Sequence, residues 1–158
     1  MKIYLLTHER ELLKKTNTGR LVKRVLGERV DIIVWKRKEP DQALLELIEE
    51  GKVLMLYPDK GEHENESFVP EQVSSIENFL ILDSTWQEAR KMYNKSHYLQ
   101  TVEKLTIKPE SPSEYCLRRN QIEGGLSTAE CAIELLKIRG DSENFERLKM
   151  AFQDFNLK

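Results

Sequence analysis

Asp83, standing where an apolar run gives way to a helix, is the residue of this chain best placed to do chemistry. Phe79-Leu80-Ile81-Leu82 is too short for a helix and does not alternate, so it reads as a strand buried on both faces. Ser84 followed by Gln87 forms a capping-box pattern, which predicts a helix opening at Ser84. Trp86, Ala89 and Tyr93 recur at helical spacing and give that helix one apolar stripe. Asp83 therefore ends a central strand, at the edge where open α/β sheets bind ligands. An aspartate beside a helix N-terminus also serves as a dipole partner or cap, and Trp86 lies where a core would claim it.

Two other groups could contact a ligand. Ser127 and Glu130 form a second capping box, so Ser127 and Thr128 stand at a helix N-terminus, a position that favours anions. Arg20, Lys23 and Arg24 share one face of a short helix, with Arg29 and the run Lys36-Arg37-Lys38 beyond it. Such a stripe serves either as solvated surface or as a phosphate-contacting patch. Metal is not expected. Cys116 and Cys131 have no second pair nearby, and His8, His63 and His97 are scattered.

The totals bound the class. A 158-residue chain is one domain with room for a core, and 39% hydrophobic with 33% charged residues is ordinary for a well-solvated protein. No apolar run is long enough for a membrane span. The N-terminal stretch has too short an apolar core for a signal peptide, so no membrane association and a cytoplasmic location are expected. Net charge of −2 argues against binding nucleic acid by bulk charge alone. The distribution is uneven: residues 1–40 hold 11 Lys/Arg against 5 Asp/Glu, and residues 41–80 hold 2 against 10. That asymmetry can build a one-sided field.

The elements that must position these groups follow in order. Lys2–Thr7 reads as a first strand, and Asn17-Thr18-Gly19 punctuates the chain before a helix over 20–26 with Leu21, Val22 and Val25 inward. Val30–Trp35 is a second strand, and Pro40 suits the first turn of a helix that Gly51 stops. Lys52–Tyr57 is a third strand. Pro58–Glu66 reads as an acidic loop, and a short helix is expected within Val69–Glu77. Val102–Ile107 is a fifth strand, and Tyr115–Arg118 a short extended segment. A helix after Ser127 and a last one carrying Phe145, Leu148, Phe152 and Phe155 complete the chain. Strands alternating with helices imply an α/β fold, a largely parallel sheet flanked by helices. Neither the dinucleotide fingerprint nor the P-loop is present, and there is no nucleophile elbow.

Five stretches go further. Asp83-Ser84-Thr85-Trp86 resembles the D-x-T-W signature of the DTW-domain family. In the same order fall His8-Glu9-Arg10-Glu11 with Asn17-Thr18-Gly19, Leu56-Tyr57-Pro58, Ser113-Glu114-Tyr115-Cys116-Leu117-Arg118, and Leu126-Ser127-Thr128-Ala129-Glu130. Together they span residues 8–130. The resemblance implies a tRNA-uridine aminocarboxypropyltransferase. Such an enzyme moves the 3-amino-3-carboxypropyl group of S-adenosylmethionine to N3 of a uridine and leaves methylthioadenosine. It also implies a SPOUT-like fold with a C-terminal trefoil knot, which nothing in the periodicity suggests. Many members carry an N-terminal Cys-rich segment, which is expected to be absent from this single DTW domain.

Roles follow from that resemblance. Asp83 is the candidate base for the uridine imide, with Thr85 beside it in the catalytic signature. Tyr57, Trp86, Leu126, Ser127 and Thr128 are candidates to hold S-adenosylmethionine, and Tyr57 equally suits stacking by a base. His8, Arg20, Lys23, Arg24, Arg118 and Arg119 are candidates to contact tRNA, the two last through its phosphates or through the donor's carboxylate, and His8 and Glu11, which follow the first strand, are given a role near the uridine. No metal and no obligatory protein partner are expected. Two other readings stay open: a SPOUT-like RNA methyltransferase using the same donor, and a non-catalytic RNA- or nucleotide-binding module.

Overall fold

The computed structural model describes residues 1–57, 73, 75–105, 113–115 and 126–157. Five strands form one parallel sheet: β1 (Lys2–Thr7), β2 (Val30–Val34), β3 (Val53–Leu56), β4 (Asn78–Asp83) and β5 (Glu103–Leu105), in the order β2-β1-β4-β3-β5. Every strand in that order is flanked by parallel neighbours, which requires crossover connections between them. The expected α/β class with a parallel sheet and flanking helices is what the chain adopts.

Period-two alternation divides the core. Ile3 and Leu5 of β1, Leu54 and Leu56 of β3, and Phe79 and Ile81 of β4 face one side. There they meet α1 (Gly19–Leu26), α5 (Thr128–Arg139) and α6 (Ser142–Asn156). Leu6, Val53, Met55, Leu80 and Leu82 face the other side, against α2 (Gln42–Glu49), α3 (Trp86–Lys95) and α4 (His97–Gln100). Phe79 to Leu82 are all buried, as a central strand covered on both faces must be. At the end of this pattern Thr7 pairs in register with Asp83, so both polar side chains fall on the α1/α5 side of the carboxyl edge.

Several boundaries differ from the sequence reading. The helix after β4 is capped one residue later than expected. Thr85, not Ser84, accepts the N–H of Glu88 at 3.1 Å, and the Glu88 carboxylate accepts the N–H of Thr85 at 3.2 Å. Glu88 makes the stronger reciprocal acceptor, while the Ser84 hydroxyl donates to the Thr85 carbonyl at 3.1 Å. Before α2 the cap is Asp41, whose side chain accepts the Leu44 N–H at 3.0 Å, and Pro40 stays outside the helix. The second capping box, Ser127 with Glu130, is where the sequence put it.

The acidic loop over 58–66, most of the short helix expected within 69–77, and residues 116–118 lie outside the described residues. The expected knot depends on the path between β5 and α5, where 106–112 and 116–125 also lie outside them.

Candidate functional site

The carboxyl edge of β1 and β4 carries a buried polar network built from residues far apart in the chain. Asp83 is 3% exposed and Glu11 fully buried, with Thr7, Asn17, Thr18 and Thr128 buried beside them. The Asp83 carboxylate accepts from Thr7 Oγ1 at 3.0 Å, from Asn17 Nδ2 at 3.0 Å, and from Thr128 Oγ1 at 2.9 Å. Asn17 can donate there because its own amide is oriented: Oδ1 accepts the Arg20 N–H at 3.0 Å, which leaves Nδ2 to face the carboxylates. The same nitrogen donates to Glu11 Oε2 at 3.2 Å, and Lys14 Nζ pairs with Glu11 Oε1 at 3.0 Å.

Two helix N-termini converge on this carboxylate. α1 begins at Gly19, where an added Cβ would meet Asp83 Oδ2 at 2.4 Å and Cγ at 2.9 Å. Only a residue without a side chain permits that approach. α5 contributes Thr128, and Thr18 Oγ1 accepts the Ala129 N–H at 3.0 Å, so the loop before α1 caps a helix more than a hundred residues away. Helix N-termini favour an anion here. Burial nonetheless pushes the Asp83 carboxyl above the usual carboxylate range. Hydrogen bonds from Asn17, Thr128 and Thr7 pull it back down, and nearby Glu11 adds to the rise.

On the other face of the same edge lie two aromatic groups. The Tyr57 ring is 5.6 Å from Trp86 and 5.2 Å from Tyr93, all three half-buried. Lys104 Nζ lies 4.3 Å from the Tyr93 ring centre and 5.6 Å from that of Tyr57. Burial raises the Tyr57 hydroxyl above its ordinary value. Next to β1, His8 stacks on Trp35 with ring centres 5.7 Å apart, and its Nδ1 lies 3.6 Å from Glu88 Oε2. The backbone N–H of His8 donates to the Asp83 carbonyl at 3.2 Å.

The candidate residues therefore divide. Asp83 and Thr128 meet directly. Ser127 is occupied as the cap of α5, Thr85 as the cap of α3, and Leu126 is half-buried just before α5. Tyr57 and Trp86 meet on the opposite face. The basic stripe of α1 does not act as a unit, because the helix runs from the carboxyl edge back to the amino edge. Arg20 is exposed near the hub, where its Nη2 donates to the Lys14 carbonyl at 2.5 Å, and Lys23 Nζ donates to the carbonyls of Gly27 and Val30, at 3.1 and 2.7 Å. Arg24 is exposed one turn away from the edge, and Arg118 and Arg119 lie outside the described residues. The exposed Lys36–Lys38 run follows Trp35 at the carboxyl edge.

Three residues of this edge escaped the sequence reading. Thr7 ends the apolar run of β1 as Asp83 ends that of β4, and that shared pattern was the signal for it. Glu88 was readable as the partner of Thr85 in a T-x-x-E box. Trp35 carried no signal for a ring partner. Burial, with Glu130 and Glu134 adding to it, pushes the Cys131 thiol up to about 12. Among the described residues no group of three or more His, Cys, Asp or Glu could hold a metal, and no helix is long and apolar enough to cross a membrane.

The whole chain, residues 1–158, matches the family model described as DTW domain. It is similar to tRNA-uridine aminocarboxypropyltransferase 2 of Macaca fascicularis, at 25% identity over 139 residues covering 86% of this chain and 47% of that protein. The Mus musculus protein of the same name is 24% identical over 139 residues, with the same coverage. The chain spans about half the length of the curated relatives it matches. No solved structure matches it significantly.

Two outcomes test the hub. Helix propensity alone would make Gly19→Ala stabilising by up to about 1 kcal/mol. The close approach of Asp83 reverses that sign, and the substitution should cost about 1–3 kcal/mol in urea denaturation, as overpacking does; a neutral or stabilised variant would contradict it. The second outcome concerns pH. An acid whose folded pKa exceeds its unfolded value adds stability that is fully present below the unfolded value and is lost as pH rises through the folded one. Relative to non-titrating Asp83→Asn, the wild type should therefore gain stability as pH falls from about 7 toward about 4. A flat or opposite difference between the two denaturation series would reject the burial account.

Proposed function

The chain belongs to the DTW domain family, and on that premise we propose that it is a tRNA-modifying transferase, moving the 3-amino-3-carboxypropyl group of S-adenosylmethionine to N3 of a uridine. The observation that carries this reading is the meeting of separate motif segments on one buried carboxylate, at the edge where α/β sheets bind ligands. The names of the curated relatives support the same chemistry. A SPOUT-like classification with a knotted C-terminal region belongs to the proposal, and the five-stranded parallel sheet is compatible with it.

The donor supplies a carbon already activated by a sulfonium, so displacement there requires no metal. The protein's task is to bring that carbon, rather than the methyl, to the uridine, which is a matter of position. Tyr57 and Trp86 offer half-buried ring faces suited to the adenosyl group. The N-terminus of α5, at Leu126, Ser127 and Thr128, favours the donor's carboxylate through its dipole. Its two hydroxyls are already engaged, so they orient the helix rather than grip the ligand. Arg20 and the Lys36–Lys38 run suit tRNA phosphates, and Arg118 and Arg119 join them in this reading.

Asp83 takes a different part from a base in contact with substrate. Both of its oxygens already accept from Thr7, Asn17 and Thr128, so its proposed role is to hold β1, the turn before α1 and the start of α5 in register.

Incubation with tRNA and S-adenosylmethionine, followed by nucleoside mass spectrometry, tests the function. The expected products are methylthioadenosine and a uridine heavier by one aminocarboxypropyl group. S-adenosylhomocysteine with a methylated base would favour a methyltransferase instead. Donor or tRNA binding with neither product would leave a binding module.

A further inference from the structure

His8 and Glu88 form an imidazole–carboxylate pair at the carboxyl edge, on the opposite side of the sheet from the Asp83 carboxylate. Their side chains are 16% and 12% exposed, with His8 Nδ1 3.6 Å from Glu88 Oε2. Each partner is held from behind. The His8 backbone is tied to the Asp83 carbonyl, and its ring lies on Trp35 at an interplanar angle of 23°. Trp35 is itself anchored by its indole N–H to Ser96 Oγ at 2.8 Å. Glu88 is fixed by the capping box, in which Oε1 accepts the Thr85 N–H and leaves Oε2 toward the imidazole. Neither side chain is among the donors to the Asp83 carboxylate, which are Thr7, Asn17 and Thr128.

We propose that His8 is the catalytic proton acceptor for the uridine N3–H, with Glu88 as its positioning partner. This rests on the transferase reading above and names the base which that reading requires. Imidazole is the side chain best matched to a proton acceptor near neutral pH. In this structure Nδ1 accepts the exposed Arg10 N–H at 3.1 Å. Water can replace that exposed bond at little cost. Moving the ring proton to Nδ1 then directs it at Glu88, after a closure of a few tenths of an ångström, and frees the Nε2 lone pair. Nε2 takes the N3 proton, the N3 electron pair forms the bond to the propyl carbon, and the carbon–sulfur bond breaks with its electrons going to sulfur. Neutral methylthioadenosine leaves, and the imidazolium, balanced by Glu88, returns its proton to water. Charged groups on the elements that carry the pair are Glu9, Arg10 and Glu11 on the turn that His8 caps and Arg90 and Lys91 on α3, and the exposed Lys36–Lys38 run follows Trp35; Glu11 and the Asp83 carboxylate belong to the buried network on the α1/α5 side.

Single-turnover transfer to tRNA, measured from about pH 5 to 8 at saturating S-adenosylmethionine, tests the assignment. His8→Gln should retain donor binding yet lose about 10²–10⁴ in rate, together with the acid limb of the pH profile. Glu88→Gln keeps the cap on Thr85 and should lower kcat by a smaller factor, with KM for S-adenosylmethionine unchanged. His97→Gln, an exposed histidine of α4, should follow the wild type. A wild-type rate in His8→Gln, or a wild-type kcat in Glu88→Gln, overturns the proposal. Should His8→Gln fail to fold for want of its turn cap, the kcat of Glu88→Gln decides the matter. A wild-type protein that binds donor and tRNA but forms no aminocarboxypropyl uridine refutes the transferase reading itself, and this assignment with it.

Discussion

Burying a carboxylate is expensive unless donors replace the water it loses, and that requirement at Asp83 organises this domain. The chain meets it with Thr7, Asn17 and Thr128, which lie 76, 66 and 45 residues away in sequence. Donors so distant can assemble only once the sheet and both flanking helices are in place. The hub is therefore a reporter of the whole fold as well as a brace. Gly19 is needed because the carboxylate occupies the space a Cβ would take, and Asn17 because one amide must satisfy Glu11 and Asp83 together.

A second consequence is a division of labour across the sheet. On the α1/α5 side the polar groups are buried and satisfy one another; among the described residues no buried side-chain nitrogen or oxygen lacks a hydrogen bond. On the α2/α3 side the groups are half-buried: the Tyr57–Trp86–Tyr93 rings with Lys104, and His8 with Glu88. Saturated networks rigidify, whereas partly exposed titratable groups are the ones able to exchange protons. The backbone link from His8 to Asp83 joins the two sides, so rigidity behind the edge becomes position in front of it.

Much of this was readable in the residues. The unbroken apolar run Phe79–Leu82 marked a central strand with Asp83 at its carboxyl end, because burial on both faces leaves no room for alternation. The Ser127–Glu130 box located α5 to the residue. The helix after β4 was misplaced by one position because two overlapping box patterns compete, and charge on Glu88 rather than Gln87 decided between them. Charge spacing misled on α1: Arg20, Lys23 and Arg24 share a face, yet the direction of the helix carries Lys23 to the far edge, where backbone carbonyls claim it. Glu11, given a role near the uridine from the sequence, is fully buried against Asn17 and Lys14, and that pairing was opaque for a related reason. Motif spacing identifies residues without saying which of them face each other.

The claim that Asp83 and its donors act as one unit is tested most directly by a double-mutant cycle between Asp83→Asn and Thr128→Val, read as unfolding free energy. Residues sharing a hydrogen-bond network couple by about 0.5–3 kcal/mol, whereas independent sites add to within about 0.5 kcal/mol. A coupling energy in the upper range is the expected result. Strict additivity would mean that the 2.9 Å contact between Thr128 and Asp83 holds nothing together.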